Sequence, residues 1–343
     1  MRVAVIGHSD LNIAPAVAAD LALRGLDVAW WPAPAAVRAC GGVQLRNGAL
    51  PETGRAGLAT MRTPATAAEA LEGVSAVVTD IPPRRLLQEV EALAHLVPAG
   101  ALVHAQSHGY WPALRLASAF GDRGWVLADS SGPTHAAGLT GAVLEIHARR
   151  RNLRFSSIGG EALPALQTLY GAAALADSSL ETGLESLNLM VHPGATIANL
   201  AALDRAAAAD SGFGFYAEGN TPVAARLAES LDKERGQVCR AWGVRHQSLR
   251  ESLAVIYGAT GETLQQSIAN CPFYARLGPL PAAAPRRWAE TDLPFALVPF
   301  IRLAEARDLA VPMHRAAVAV LGAAFELDPW PDAPTLRNLG VLQ

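Results

Sequence analysis

The chain opens on a short apolar run, Arg2-Val3-Ala4-Val5-Ile6, whose β-branched residues read as a buried strand. Ile13, Val17 and Leu21 then recur at helical spacing in an alanine-rich stretch that Gly25 closes at a C′ position. Leu26 to Trp31 reads as a second strand. The alternation continues with a strand over Val74 to Asp80 running into Ile81-Pro82-Pro83, a helix over Arg84 to Leu96, a strand over Ala101 to Ala105, the loop Gln106 to Tyr110 and a strand over Trp125 to Asp129. Strands separated by helices of this length predict right-handed βαβ units in a parallel, doubly wound sheet. Gly141 to Ser157 predicts a hairpin added to that sheet.

From about Glu181 the period becomes helical and strand signals nearly vanish. Helices are predicted over Glu181 to Ala209, Thr221 to Trp242, Leu249 to Ile256, Leu297 to Ala306 and Met313 to Phe325, with Pro279 to Arg287 as a Pro/Ala loop. The reading is therefore two domains: an α/β domain over residues 1–180 and an all-helical one over 181–343. With 343 residues, 51% of them hydrophobic, the chain can bury cores for both.

Charge and cysteine content mainly exclude. A formal net charge of -3 without a long run of one sign gives no footprint for nucleic acid or an anionic membrane. His147 to Arg151 reads as a solvated hairpin edge. The start of the chain lacks a signal peptide's charged and apolar regions, and no run approaches the roughly 20 apolar residues of a membrane span, so a cytoplasmic, soluble protein is expected. Cys40, Cys239 and Cys271 are widely spaced and odd in number, against both a disulfide framework and a zinc cluster. The one lysine, Lys233, lies in the charged stretch Asp232 to Arg235, against Schiff-base chemistry. No P-loop and no nucleophile elbow is present.

Two stretches of the helical half concentrate chemistry. Asn188 and His192 are four apart, which on a helix places them on one face, and Pro193 follows at once, where it would kink that helix. Pro285 to Phe295 combines Arg286 and Arg287 with Trp288, Glu290 and Asp292; its plainest reading is a loop in which Asp292 caps the next helix. No metal site is expected, His104 and His108 being four apart in a strand-to-loop setting.

The block Phe215 to Pro222, with Ala225-Arg226-Leu227 and Asp232 to Arg235 after it, resembles the opine dehydrogenase family, the octopine and nopaline dehydrogenases and related N-(1-carboxyalkyl)amino acid dehydrogenases. Asn188 to Pro193 resembles that family's Asn-x-x-x-His-Pro segment, and Arg287 to Pro299 its Arg-Tyr-x-x-x-Asp-Val-Pro block. The resemblance implies a Rossmann-like nucleotide domain and a helical domain of the 6-phosphogluconate dehydrogenase C-terminal type. It implies a reductive condensation in which an amino acid or other amine and an α-keto acid form an imine that NADH or NADPH reduces. His192 would be the general acid/base and Asp292 its orienting carboxylate, the two meeting in an interdomain cleft. Arg287 would clamp a substrate carboxylate, and Asn188 would help to hold the substrate. Trp288 stands where the family has tyrosine. His135, in the segment Ser130 to His135, is a further candidate substrate contact. The Ala-rich helices, separately from the resemblance, suggest a surface for a homodimer.

The phosphate turn departs from the family. Of the glycines of a Gly-x-Gly-x-x-Gly turn only Gly7 is present, and His8, Ser9, Asp10, Leu11 and Asn12 follow it. Pro15 deletes a donor near the helix start, and Asp10 adds charge where a pyrophosphate should sit, unless it points outward and leaves Ser9, His8 and the turn amides to the phosphates. Arg38 is the nearest cation for a 2′-phosphate, and Pro82 and the Gln106 to Tyr110 loop stand where the family meets the rest of the cofactor. Two readings stay open: an NAD(P)H-dependent opine-type dehydrogenase, and a relative without its cofactor in which His192 and Asp292 do acid/base work on an imine, amine or acyl substrate.

Overall fold

The computed structural model describes residues 1–7, 12–46, 57–107 and 109–341. They form two units, residues 1–107 with 111–182, and 109–110 with 183–341.

In the first unit the described strands are β1 (Arg2–Ile6), β2 (Asp27–Trp31), β3 (Gly42–Leu45), β4 (Leu58–Thr60), β5 (Ala76–Thr79), β6 (Leu102–Ala105), β7 (Val126–Ser130), β8 (His135–Thr140), β9 (Val143–Arg149), β10 (Arg154–Ile158) and β11 (Ala174–Leu175). Helices α1 (Ile13–Leu23), α2 (Ala35–Cys40), α3 (Ala67–Leu71), α4 (Leu86–Leu93), α5 (Pro112–Phe120) and α6 (Leu163–Tyr170) alternate with them, and α7 (Ser179–Leu184) follows. Seven strands form one sheet in the order β11-β10-β7-β6-β5-β1-β2. β2, β1, β5, β6 and β7 run parallel, and their continuous apolar runs are buried on both faces. The chain steps from β1 to β2 on one side and returns to β5 on the other. The switch point of this doubly wound sheet therefore lies beyond the ends of β1 and β5, where Gly7 and Asp80 stand.

The predicted hairpin over Gly141 to Ser157 is divided. β8 and β9 form an antiparallel hairpin, but it belongs to a second sheet of four strands, β4-β3-β9-β8, and only β10 joins the main sheet, antiparallel to β7. Helix α1 packs against strands of both sheets, which explains why Ile13 to Leu21 are buried all round rather than on one stripe.

The second unit holds α8 (Val191–Ala208), α9 (Pro222–Ala241), α10 (Leu249–Tyr257), α11 (Leu264–Ala269), α12 (Pro272–Leu277), α13 (Ala284–Asp292), α14 (Val298–Glu305) and α15 (Pro312–Phe325). It is not wholly helical: β12 (Gly212–Phe213) and β13 (Leu280–Pro281) pair antiparallel. Gly194, in the first turn of α8, lets that helix lie against α9, since a Cβ there would come 2.9 Å from the Ala228 nitrogen.

Candidate functional site

The helix expected over Glu181 to Ala209 is broken in three. α7 ends at Leu184, Ser186 caps a 3₁₀ turn over Leu187–Leu189 by accepting from the Asn188 N–H, and α8 begins at Val191. Asn188 and His192 therefore do not share one helix face. Pro193 does not kink a helix either: it sits in the first turn of α8, where a missing N–H leaves no hydrogen bond broken. The break puts His192 at the very start of α8.

The segment read as a loop from Pro285 is helical as well. α13 runs on through a π-helical turn, Leu293–Leu297, into α14, so Asp292 ends α13 and caps nothing. Pro294 and Pro299 carry no N–H for an ordinary i to i−4 ladder, and the wider π turn accommodates them, its Val298 N–H reaching the Leu293 carbonyl. Trp288 and Asp292 lie one turn apart and share a face of α13.

That face meets His192. The imidazole Nδ1 lies 2.7 Å from Asp292 Oδ2, and the indole of Trp288 stacks on the ring at 4.3 Å and 13°. Asp292 is 3% exposed and its Oδ1 accepts from Asn188 Nδ2 at 3.3 Å and from the Tyr110 hydroxyl at 2.5 Å. On the far side of the imidazole, Nε2 lies 3.3 Å from the Tyr216 hydroxyl, and Tyr216 is itself stacked on Tyr274 at 4.0 Å. Phe215 packs edge-on to both Trp288 and His192. With a carboxylate on Nδ1, the ring carries its proton there and its lone pair on Nε2, so Nε2 is the atom that can exchange a proton. The His192 side chain is 13% exposed, enough for one edge to be reached.

Of the other residues named from the sequence, Arg287 is exposed on the neighbouring face of α13, and its side chain makes no hydrogen bond or ion pair among the described residues. His135 lies elsewhere, in the first unit, at 1% exposure. Its Nδ1 is 2.9 Å from Thr134 Oγ1 and its Nε2 3.3 Å from Asp20, a buried carboxylate that Arg149 also faces at 3.2 Å. Burial pushes the Asp20 carboxyl up, but His135, Arg149 and Arg24 together hold it below its ordinary value. A histidine enclosed in this way braces α1 against β8. Sequence reasoning named Tyr110 only as the end of the loop expected to meet the cofactor, and Tyr216 only within the Phe215 to Pro222 block; no local signal ties either to His192.

The cofactor candidates divide. Gly7 has φ +101, and a Cβ there would lie 2.6 Å from the Asp80 carbonyl oxygen, so only glycine lets the ends of β1 and β5 close together. Asn12 follows in the left-handed region at φ 53 and makes no side-chain cap. The cap comes from Asp80, 3% exposed, whose Oδ2 accepts the Ala14 N–H at 2.8 Å. Pro15 offers no N–H, so the Ile13 amide is the helical donor left at this end of α1. The frame of strand, glycine and helix fits a dinucleotide, with Gly7, Asn12 and Ile13 as the described residues that would hold its phosphates. His8, Ser9, Asp10 and Leu11 lie outside the described residues, as does His108. Arg38 is exposed and donates to the Ala33 carbonyl, and Pro82 is half-buried just beyond β5. Among the described residues no group of three or more His, Cys, Asp or Glu could hold a metal, and no helix is long and apolar enough to cross a membrane.

Comparison with known proteins bears on both halves. Residues 175–325 match the family model described as NAD/NADP octopine/nopaline dehydrogenase, alpha-helical domain. An opine dehydrogenase of Arthrobacter sp. (strain 1C) is 28% identical over 185 residues, 53% of this chain and 49% of that protein, so the match spans about half the relative's length. A structure of octopine dehydrogenase in complex with NADH and agmatine superposes with a TM-score of 0.77 at 16% identity, covering 99% of this chain and 95% of that one. A PanE/ApbA family ketopantoate reductase from Ralstonia eutropha JMP134 follows at 0.64 and 16%, covering 95% and 99%. At such identities the likeness speaks for the fold.

Proposed function

We propose that the chain, whose residues 175–325 match the helical-domain model of the octopine/nopaline dehydrogenases, is an NAD(P)-dependent oxidoreductase of the opine dehydrogenase family that condenses an amine, typically an amino acid, with an α-keto acid. The observation that carries this reading is the 2.7 Å contact between His192 Nδ1 and Asp292, two residues a hundred positions apart, within the domain that matches the family.

Asp292 fixes the imidazole so that Nε2 takes and returns a proton as the amine adds to the keto carbon and water leaves. Burial of the carboxylate among Tyr110, Asn188 and His192 keeps solvent from competing for it. Arg287, exposed beside Trp288, is the cation proposed to take the keto acid's carboxylate in a two-pronged contact. Asn188 orients Asp292 here, in addition to any contact with substrate. A bound nicotinamide, from NAD or NADP, supplies the hydride.

A second reading has an observation in its favour. The Asp80 carboxylate already occupies the Ala14 amide and Pro15 lacks one, which leaves the α1 end poorer in donors than a glycine-rich turn and more negative. A chain that had given up the dinucleotide would keep the dyad for non-redox proton transfer on an imine, amine or acyl substrate.

Titration with NADH and NADPH by calorimetry separates the two. Micromolar binding of either supports the redox reading, and pairs of amines and keto acids are then screened for loss of nicotinamide absorbance. Binding absent up to millimolar nucleotide overturns it. His192→Ala is expected to abolish turnover while leaving nucleotide affinity unchanged; a variant that turns over normally would remove His192 from the chemistry.

A further inference from the structure

The family resemblance places Tyr110 only at the end of the Gln106 to Tyr110 loop that would meet the cofactor, not beside the dyad. Tyr110 comes from the loop after β6, in the α/β half of the sequence, yet it belongs with the helical unit. The loop is built to bring it there. Gly109, at φ +85, is pressed against Ser186 so closely that a Cβ would come 2.3 Å from that residue's own Cβ, so both its conformation and its contact require glycine. Ser186 is the cap of the 3₁₀ turn that presents Asn188. The next residue, Tyr110, is buried and gives its hydroxyl proton to Asp292 Oδ1 at 2.5 Å, on the oxygen opposite the one that holds His192.

We propose that Tyr110 is a positioning residue of the dyad, holding the Asp292 carboxylate rotationally fixed so that its other oxygen keeps His192 in the tautomer with its lone pair on Nε2. The inference rests on the acid/base reading of His192 given above. Burial, with the Asp292 charge adding to it, pushes the Tyr110 phenol well above its ordinary range, so it acts as a donor throughout the working pH range. A carboxylate with one donor fewer binds a proton more readily, and once protonated it no longer orients the imidazole. Asn188 at 3.3 Å is the weaker of the two donors on Oδ1 and does not replace a phenol at 2.5 Å.

Tyr110→Phe keeps the ring and removes the donor. In protein labelled with ¹⁵N-histidine, with His192→Ala assigning the signal, the His192 ring nitrogens of the variant are expected to shift away from the single Nδ1–H tautomer of the parent. Where turnover is measurable, kcat should fall about ten- to hundred-fold, the loss of one hydrogen bond to a charged acceptor. KM should stay within about threefold, and the acid limb of the pH profile should move to higher pH. Uniform 3-fluorotyrosine, a stronger donor of the same shape, should move that limb and the His192 signals the opposite way in a Tyr216→Phe background, which silences the other phenol near His192. Unchanged tautomer signals in Tyr110→Phe, or an unmoved His192 spectrum with fluorotyrosine, would overturn the proposal. Because the spectra need no substrate, a failure to find the proper amine and keto acid would count against the proposed reaction alone.

Discussion

At the scale of single residues the site depends on what lies around His192 as much as on the histidine. Trp288 replaces the tyrosine expected from the family resemblance and covers one face of the imidazole at 4.3 Å. Stacked aromatic pairs contribute about 0.5–1.5 kcal/mol beyond the area they bury, and a flat indole also favours the ring when it carries a proton. Trp288→Ala is expected to lower kcat by about three- to ten-fold, in line with a stack of that worth. Trp288→Tyr, which restores a flat ring, should keep activity within about twofold of the parent on the same estimate. Steady-state kinetics with the best amine and keto acid pair reads both. An alanine variant as fast as the parent would mean that Asp292 alone orients the imidazole.

At the scale of elements, the N-terminus of α1 is where this chain differs most from a glycine-rich phosphate turn. Asp80 is fixed there by its place just beyond β5, where its own N–H bonds the Ile6 carbonyl and its side chain caps α1. A carboxylate about 4 Å from a phosphate costs roughly 1–4 kcal/mol at effective dielectrics between 80 and 20. Asp80→Asn retains an oxygen for the Ala14 amide and loses the charge. It should tighten NADH or NADPH by about fivefold or more in a calorimetric titration, with the melting temperature little changed. An unaltered dissociation constant would place bound phosphates clear of the α1 end.

The same scale shows what local pattern can carry. The strands β1, β2, β5, β6 and β7 and the parallel order they adopt are legible because fully buried parallel strands read as unbroken apolar runs. The break between α7, the 3₁₀ turn and α8 is not legible, because Leu187, Leu189, Met190 and Val191 continue an apolar pattern that suits a long helix equally well. The reverse happens in α13. Its prolines and charges suggest a loop, but Ala284, Pro285, Ala289 and Asp292 form a buried face that only neighbouring helices reveal.

For the whole molecule, a buried carboxylate in the first unit sets an expected response to pH. Asp129, at the end of β7, accepts hydrogen bonds from the hydroxyls of Ser156 and Thr182, tying β7 to β10 and α7. Burial nonetheless raises its carboxyl to about 6 from an ordinary 3.8, the two hydroxyls and the Ala113 amide pulling it back only in part. The folded state thus binds this proton more tightly than the unfolded chain does. Its contribution to stability is complete below about pH 4 and is lost as pH rises through about 6, an effect of roughly 3 kcal/mol. Asp129→Asn does not titrate, so its stability relative to the parent should improve by about 2–3 kcal/mol between pH 4 and pH 8, read from urea midpoints at each pH. A constant difference across that range would show that Asp129 keeps an ordinary affinity for its proton.

By itself the sequence determined the class of fold and the residue types able to do acid/base chemistry, because periodicity and side-chain chemistry are local properties of the chain. The family resemblance led to the expectation that His192 and Asp292 meet, and tertiary structure decided what stands around them. It put Asp292 beside His192 across a hundred positions, enclosed His135 against Asp20, and drew Tyr110 out of the α/β half of the chain to the dyad's carboxylate. Such meetings are fixed by how helices and loops pack, and packing joins segments whose separation along the chain leaves no periodic trace.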